Sequence, residues 1–194
     1  DTDPVNQKNP HYLVMELKNT VEQAGIRNLG FGSGIPLRKG IKYQFSCYAK
    51  REKDMEKGIK VSLRSKAGDI YEEQSVALTS EWTKYELCFE PDTEDFEARL
   101  CITAKGEGRI YLDFISLFPF DTFQNKKNGM RSDIASLIAD MKPKFMRFPG
   151  GCLVHDGSLN SEDRDSMYRW KNTIGPVESR PARRSNWGYN QTLG

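Results

Sequence analysis

Residues 11–118 alternate between apolar and polar side chains, a pattern typical of β-strands that bury one face. In residues 40–50 the alternation places Tyr43, Phe45 and Cys47 on one face and leaves Tyr48 on the polar face. Comparable short patterns predict further strands at residues 12–17, 59–63, 70–78, 84–90, 97–104 and 110–118. No long helical period interrupts these predicted strands.

Glycine-containing turns separate several of the strands. Residues 66–69 and residues 105–108 both have the composition of a turn between strands. Short strands at regular spacing, joined by such turns, are typical of an antiparallel sandwich or barrel. We therefore predict a mainly β fold, an antiparallel jelly-roll-type β-sandwich over residues 1–120, which ends near Pro119 and Asp121.

The pattern changes to a helical period after residue 121. Five apolar residues recur at the spacing of one helix face: Met130, Ile134, Leu137, Ile138 and Met141. Residues 144–148 then form a short apolar run, which the glycine turn of residues 149–151 ends. A helix that feeds such a strand is an α/β unit, and one unit cannot cover both of its faces. Residues 121–194 are therefore predicted to form a partial α/β segment that residues outside it complete.

The predicted strand of this segment carries apolar side chains that need a cover. In a complete α/β fold, neighbouring strands would bury Phe145, Met146 and Phe148. Without those strands, we expect the segment to fold back on the sandwich, to pair with a second copy of the chain, or to stay partly disordered. Self-association through this segment is thus one of three open alternatives.

Composition narrows the class of protein. Apolar residues make up 37% of the 194 residues, enough for one packed core. Lys and Arg total 29 against 27 for Asp and Glu, and no basic stripe stands out, so neither nucleic acid nor a membrane is an expected partner. The four cysteines are too widely spaced for a zinc site or a dense disulfide framework. Free, half-buried thiols are the favoured interpretation, and a Cys88–Cys101 disulfide is the alternative.

Three segments of the sequence carry a family resemblance. Residues 141–152 (MKPKFMRFPGGC) and residues 168–176 (YRWKNTIGP) resemble parts of glycoside hydrolase family 51. Residues 113–119 (DFISLFP) resemble the closing strand of a carbohydrate-binding module fused within such enzymes. The resemblance is strongest from residue 113 onward. It implies that residues 121–194 belong to the start of a TIM-barrel catalytic domain.

The resemblance implies retaining hydrolysis of terminal α-L-arabinofuranosyl groups in arabinan or arabinoxylan. That chemistry uses two Glu carboxyl groups about 5–5.5 Å apart. The Gly-Asn-Glu-like motif that carries the first of them in the family does not occur in this sequence. The chain is therefore expected to be inactive alone, although its parent is an enzyme. No cofactor is required, and an extracellular or periplasmic location is expected because polysaccharides are met outside the cytoplasm.

Residues of the predicted barrel segment acquire roles from the resemblance. Arg147 resembles an arginine at the end of a barrel strand, where its charge keeps a catalytic carboxylate ionised. Gly150 and Gly151 let the backbone turn closely under a sugar. Cys152 resembles a residue of the subsite that holds the arabinose ring. Trp170 resembles an aromatic wall of that pocket, where a flat ring suits the C–H face of a sugar.

The sandwich offers its own candidates. Tyr48 and Tyr71 are the candidates for an exposed sugar-stacking surface, whereas Trp82 and Tyr85 are expected to serve packing. Asp113 resembles a position near a structural calcium site in some such modules, and a hydrogen-bonded strand carboxylate is the alternative.

Three functions for the sandwich stay open. It is part of an enzyme whose sandwich binds or once bound polysaccharide, a binding module with real affinity for arabinose-containing polysaccharide, or a structural sandwich that braces the barrel. Charged positions on its predicted outer faces, such as Lys42, Lys50 and Lys60, slightly favour the third.

Overall fold

The chain divides into two compact units. In the computed structural model, the described residues are 2–30, 32–52, 58–147, 160, 162, 169–184 and 190–192. One unit is Leu13–Met141, and the other combines Asp1–Tyr12 with Lys142–Gly194. The sequence predicted a single boundary after residue 120. In the structure, the helix after the sandwich groups with the sandwich, and the first twelve residues group with the C-terminal part.

Seven antiparallel strands dominate the unit Leu13–Met141, and the prediction of a mainly β fold is confirmed. The strands are β1 (Leu13–Asn28), β2 (Ile35–Leu37), β3 (Tyr43–Arg51), β4 (Ile59–Arg64), β5 (Ile70–Val76), β6 (Thr83–Phe89) and β7 (Asp95–Pro119). They follow the order β5-β4-β7-β3-β6, and β1 and β2 also pair with β7. The edge strands β5 and β6 approach each other, and the backbone N–H of Glu90 donates to Glu72 Oε2 at 2.7 Å, so the sheet is nearly closed.

The predicted turn at residues 105–108 is wrong, because β7 runs through it as one strand of 25 residues. Gly106 and Gly108 lie there with φ of 105° and 124°, in a region that only glycine enters easily. They let β7 bend instead of reversing. Its long partner β1 bends with it, through register shifts between Leu17 and Ala24.

One apolar core fills the interior of the nearly closed sheet. The alternation predicted for residues 40–50 is confirmed, since Tyr43, Phe45 and Cys47 are all buried. The inward face of β6 is also confirmed, with Phe89 buried and Tyr85 packed against the core. Burying a large apolar side chain contributes about 1.5–3 kcal/mol, so these inward positions account for much of the drive to fold.

A short α-helix follows the strands. Helix α1 spans Ser132–Asp140, as the helical period predicts, after a 3-10 turn at Phe123–Asn125. Its Ala135 is buried, but its large apolar residues are exposed, with Leu137 at 68% and Ile138 at 45%. No helix in the described part of the chain is long and apolar enough to cross a membrane.

The predicted strand at residues 144–148 is wrong for the residues that the structure describes. Lys144 to Arg147 lie in no strand, and Phe145 is 87% exposed. Among the described residues, the apolar run has no neighbouring strand to satisfy its backbone N–H and C=O groups, and a lone extended segment gains little from its pattern. The partial barrel therefore stays a prediction.

The discontinuous unit joins the two ends of the chain. Its described elements are two 3-10 helices and an antiparallel pair: Trp170–Thr173, Val177–Ser179, β8 (Ala182–Arg184) and β9 (Asn190–Thr192). Asn9 is buried, and its Nδ2 donates to the carbonyl oxygens of Glu178 at 3.1 Å and Arg180 at 2.6 Å. The sandwich is thus an insertion between two segments that pack together.

Candidate functional site

The outer face of β3 and β7 carries the first predicted site residue, Tyr48. An extra residue in β7 shifts the register between Ser46 and Tyr48 and forms a β-bulge. Phe114 sits in this bulge with φ of 47°, which is unusual for an aromatic residue. Its ring meets the Tyr48 ring edge to face, with centroids 6.1 Å apart. Tyr48 is consequently half-buried rather than a freely exposed ring.

Lys50 lies on the same outer face, but only 8% of it is exposed. Its ammonium nitrogen lies 4.9 Å from the ring centroid of Trp82 and 5.2 Å from that of Tyr111. Such cation–π contacts contribute roughly 0.5–1 kcal/mol each at partly exposed sites. The Trp82 ring therefore contacts Lys50, its role in packing stays a prediction, and Lys50 is not one of the solvated charges that favour a purely structural sandwich.

Asp113 lies directly before the bulge residue Phe114. Its Oδ1 accepts a hydrogen bond from the Phe114 backbone N–H at 2.8 Å. Its Oδ2 is buried and has no hydrogen-bond partner among the described residues. Burial raises the pKa of the Asp113 carboxyl, and the Phe114 hydrogen bond lowers it by less. The carboxylate is therefore held in a conformation that disfavours its charge.

Tyr71 lies on β5 and Tyr48 on β3, two strands that do not pair with each other. The Tyr71 ring packs against the core, and its hydroxyl donates to Asp95 Oδ2 at 2.8 Å. That hydrogen bond raises the pKa of Tyr71. With its hydroxyl engaged and its ring half-buried, Tyr71 offers less free surface than a stacking site needs.

A cleft opens at the N-terminal end of α1, within the unit Leu13–Met141. We call it the α1 cleft, and its volume is about 470 Å³. Apolar side chains form most of its lining: Ile35, Pro36, Ile41, Tyr43, Phe96, Leu117 and Pro119. Phe96 is 55% exposed, so one aromatic ring remains available at its wall.

Charged groups of both signs surround the α1 cleft. Arg38, Asp121, Arg131 and Asp133 all contribute to its lining. Arg131 and Asp133 form a two-pronged ion pair, with Nη2 2.6 Å from Oδ2 and Nε 3.1 Å from Oδ1. The Arg131 guanidinium lowers the pKa of Asp133 to about 2. Asp133 is therefore an ionised hydrogen-bond acceptor at any ordinary pH.

The residues predicted from the barrel resemblance are only partly described. Gly150, Gly151 and Cys152 lie outside the described residues. Arg147 is exposed and lies in no strand. Trp170 begins the 3-10 helix Trp170–Thr173 and is 62% exposed.

The Trp170 indole is largely exposed, and a charged side chain lies near it. The ammonium nitrogen of Lys171 lies 5.8 Å from its ring centroid. Nearby, the buried Asn172 Nδ2 has no hydrogen-bond partner among the described residues, which is unusual for a buried amide. This region presents an aromatic ring and an amide donor without completing a binding site by itself.

Metal and thiol chemistry find little support in the described residues. Within them, no group of three or more His, Cys, Asp or Glu side chains could hold a metal ion. Calcium prefers six to eight oxygen ligands, and Asp113 supplies one carboxylate that already accepts a hydrogen bond. Cys47, Cys88 and Cys101 are free, as expected, and burial raises the pKa of Cys47 to about 12, so its thiol is inert.

Sequence reasoning missed the α1 cleft and the Asn9 contacts. The cleft residues come from separate parts of the chain and converge only when β2, β7 and α1 are folded. Phe96 was one available signal. It lies two residues before buried Ala98, and strand alternation does not explain why so large a ring is exposed. Asn9 lies about 170 residues from its partners, and nothing local indicates them.

Comparisons with known proteins agree with both halves of the chain. A family model described as a carbohydrate-binding domain matches residues 19–107. A second model, described as the α-L-arabinofuranosidase 1 domain, matches residues 137–194. The fold is thus that of a carbohydrate-binding-type β-sandwich joined to part of a glycoside hydrolase.

Individual relatives identify the family. An extracellular exo-α-L-arabinofuranosidase of Streptomyces chartreusis is 36% identical over 200 residues, which is 100% of this chain and 23% of that protein. α-L-Arabinofuranosidase 1 of Arabidopsis thaliana is 33% identical over 85% of this chain and 24% of its own length.

A solved structure supports the same assignment. The structure of an arabinose-bound family 51 α-L-arabinofuranosidase superposes on 100% of this chain and 32% of its own with a TM-score of 0.85 at 28% identity. The chain belongs to the α-L-arabinofuranosidases of glycoside hydrolase family 51. It spans about a quarter of the length of the two curated relatives.

Proposed function

We propose that the protein containing this chain removes terminal non-reducing α-L-arabinofuranosyl residues from arabinan or arabinoxylan with retention of configuration. The observation that carries the proposal is the match of the whole chain to an exo-acting relative, through both the sandwich and the segment after it. Because that relative is extracellular, we extend the same location to this protein. The predicted periplasmic alternative has no comparable support.

Within that enzyme, the segment after the sandwich contributes to the sugar pocket without carrying the chemistry. Retaining hydrolysis needs an acid/base and a nucleophile, and the Gly-Asn-Glu-like motif that carries the first of them in the family does not occur in the sequence. Trp170 is available as an aromatic wall because its ring is exposed. Arg147, also exposed, is available to pair with a carboxylate supplied by another part of the protein. Gly150, Gly151 and Cys152 keep their roles as predictions.

The test of this proposal uses the full-length protein. It should hydrolyse p-nitrophenyl α-L-arabinofuranoside, and proton NMR of the first product formed should show the retained anomer. The 194-residue chain alone should release no nitrophenol above the uncatalysed rate. A full-length protein that is folded but inactive on α-L-arabinofuranosides would overturn the proposal.

The sandwich has a second candidate function, as a brace for the catalytic domain. On the outer face of β4 and β5 the charges engage one another, since Lys60 and Arg64 both pair with Glu73. A face that satisfies itself in this way offers few free groups to a ligand. Deleting residues 13–119 from the full-length protein would then lower its melting temperature. An unchanged melting temperature would exclude the bracing function.

A further inference from the structure

We propose that the α1 cleft binds a short neutral oligosaccharide at the end of the sandwich, apart from the outer face that carries Tyr48. The first support is its shape. A volume of about 470 Å³ lies within the range of small-ligand sites, which are mostly apolar with a few polar groups. The exposed ring of Phe96 stands over an apolar floor that includes Ile35 and Leu117.

The second support is the balance of charge around the cleft. Two guanidinium groups, of Arg38 and Arg131, face two carboxyl groups, of Asp121 and Asp133, so the formal charges sum to zero. A zero sum gives no advantage to an ionic ligand over a neutral one. The guanidinium groups only donate hydrogen bonds and the ionised carboxylates only accept them.

A sugar matches this combination of groups. Each hydroxyl both donates and accepts a hydrogen bond, so the edge of a sugar ring engages donors and acceptors together. The C–H face of the ring meets the flat Phe96 ring and the apolar floor. An apolar peptide segment would bury the same floor, but it would also desolvate the charged groups of the cleft and offer Arg38 and Asp121 no hydrogen-bond partner, which costs free energy.

The choice of arabinose as the probe sugar rests on the proposed function, because the relatives act on arabinofuranosyl groups. The binding itself is argued from the cleft. The test therefore measures affinity on the 194-residue chain, whereas the proposed function is tested by hydrolysis with the full-length protein. Each result stands if the other fails.

The experiment titrates the ¹⁵N-labelled chain with α-1,5-linked arabinotriose and follows amide shifts by NMR. Saturable shifts should concentrate at residues that line the α1 cleft, near Phe96 and Arg38. Phe96→Ala and Arg38→Ala should each raise the Kd about tenfold, the size expected for one aromatic or charged contact. Phe96→Tyr should keep the Kd within about twofold, because it preserves the ring.

Two controls make the result decisive. Tyr48→Ala removes an aromatic ring from the outer face and should leave the Kd unchanged. Sorbitol at the same concentration offers hydroxyls without a ring and should cause no saturable shift. Binding that is lost in Tyr48→Ala but retained in Phe96→Ala overturns the proposal. So does the absence of saturable shifts, or an equal response to sorbitol, in a chain with a well-dispersed spectrum.

Discussion

Large apolar side chains form a buried core in strands β1–β7, whereas most of those described in the chain that follows are exposed. Phe45 in β3 is completely buried, whereas Phe145 is 87% exposed. The same contrast separates the core of the sandwich from Leu137 of α1 and from Met141, which follows the helix. The strands thus enclose a core of their own, while the following segment presents apolar surface that a larger protein would cover.

The largest expected effect tests this contrast directly with two identical substitutions. Phe45→Ala removes a fully buried ring and should lower the free energy of unfolding by about 3–5 kcal/mol. Phe145→Ala removes an exposed ring and should change it by less than about 0.5 kcal/mol. Urea denaturation followed by circular dichroism measures both. Similar losses in the two variants would mean that the exposed ring packs in solution.

A smaller effect is expected where the two ends of the chain meet. Asn9→Asp removes both N–H donors that reach Glu178 and Arg180, and should lower the local opening free energy there by about 1–3 kcal/mol. Hydrogen exchange at the amides of Ser179 and Arg180 measures this, because both are bonded within the adjacent 3-10 turn. Asn6→Asp is the matched control, since the Asn6 side chain only accepts a bond, from the Lys8 N–H. Unchanged protection in Asn9→Asp would mean that the Asn9 hydrogen bonds do not stabilise this segment.

The smallest expected effect concerns Asp113 and depends on pH. Its pKa is raised in the folded state, so the folded protein holds this proton more tightly than the unfolded chain. Stability from this group is present at low pH and declines as pH rises from the ordinary value of 3.8 through the folded-state pKa. Asp113→Asn should remove that decline and stabilise the protein by roughly 1 kcal/mol at pH 7.

Thermal unfolding of Asp113→Asn across pH 3–7 is the measurement, with Asp92→Asn as the control, since the Asp92 side chain is 89% exposed and pairs with Lys39 at the surface. A wild-type pH profile that Asp113→Asn leaves unaltered would mean that Oδ2 finds a partner in solution.

The strands were predictable from the sequence because alternation reports burial directly. Tyr43, Phe45 and Cys47 face the core as the period-two pattern requires. The continuation of β7 through Gly106 and Gly108 was not predictable in the same way, since glycines that permit a bend also permit a turn. The distinction depends on the partner strand β1, which bends in parallel far away in sequence.

The candidate sites were less predictable than the fold. Tyr48 and Tyr71 both occupy polar-face positions, yet their freedom is set by Phe114 in a bulge and by Asp95 in a neighbouring strand. The α1 cleft arises from loops and strand ends, where periodicity carries no information. By contrast, the family assignment rested on contiguous segments such as residues 141–152, and contiguous segments are what a sequence reveals most directly.

The contact between Asn9 and the segment near Glu178 has a consequence for how the chain folds during synthesis. Strands β1–β7 can close on themselves as soon as Pro119 has left the ribosome, whereas Asn9 must wait for Arg180. At typical synthesis rates, about 5–20 residues per second, the stretch from Pro119 to Arg180 takes roughly 3–12 s. The strands can therefore fold before the first twelve residues meet the C-terminal segment with which they form a unit.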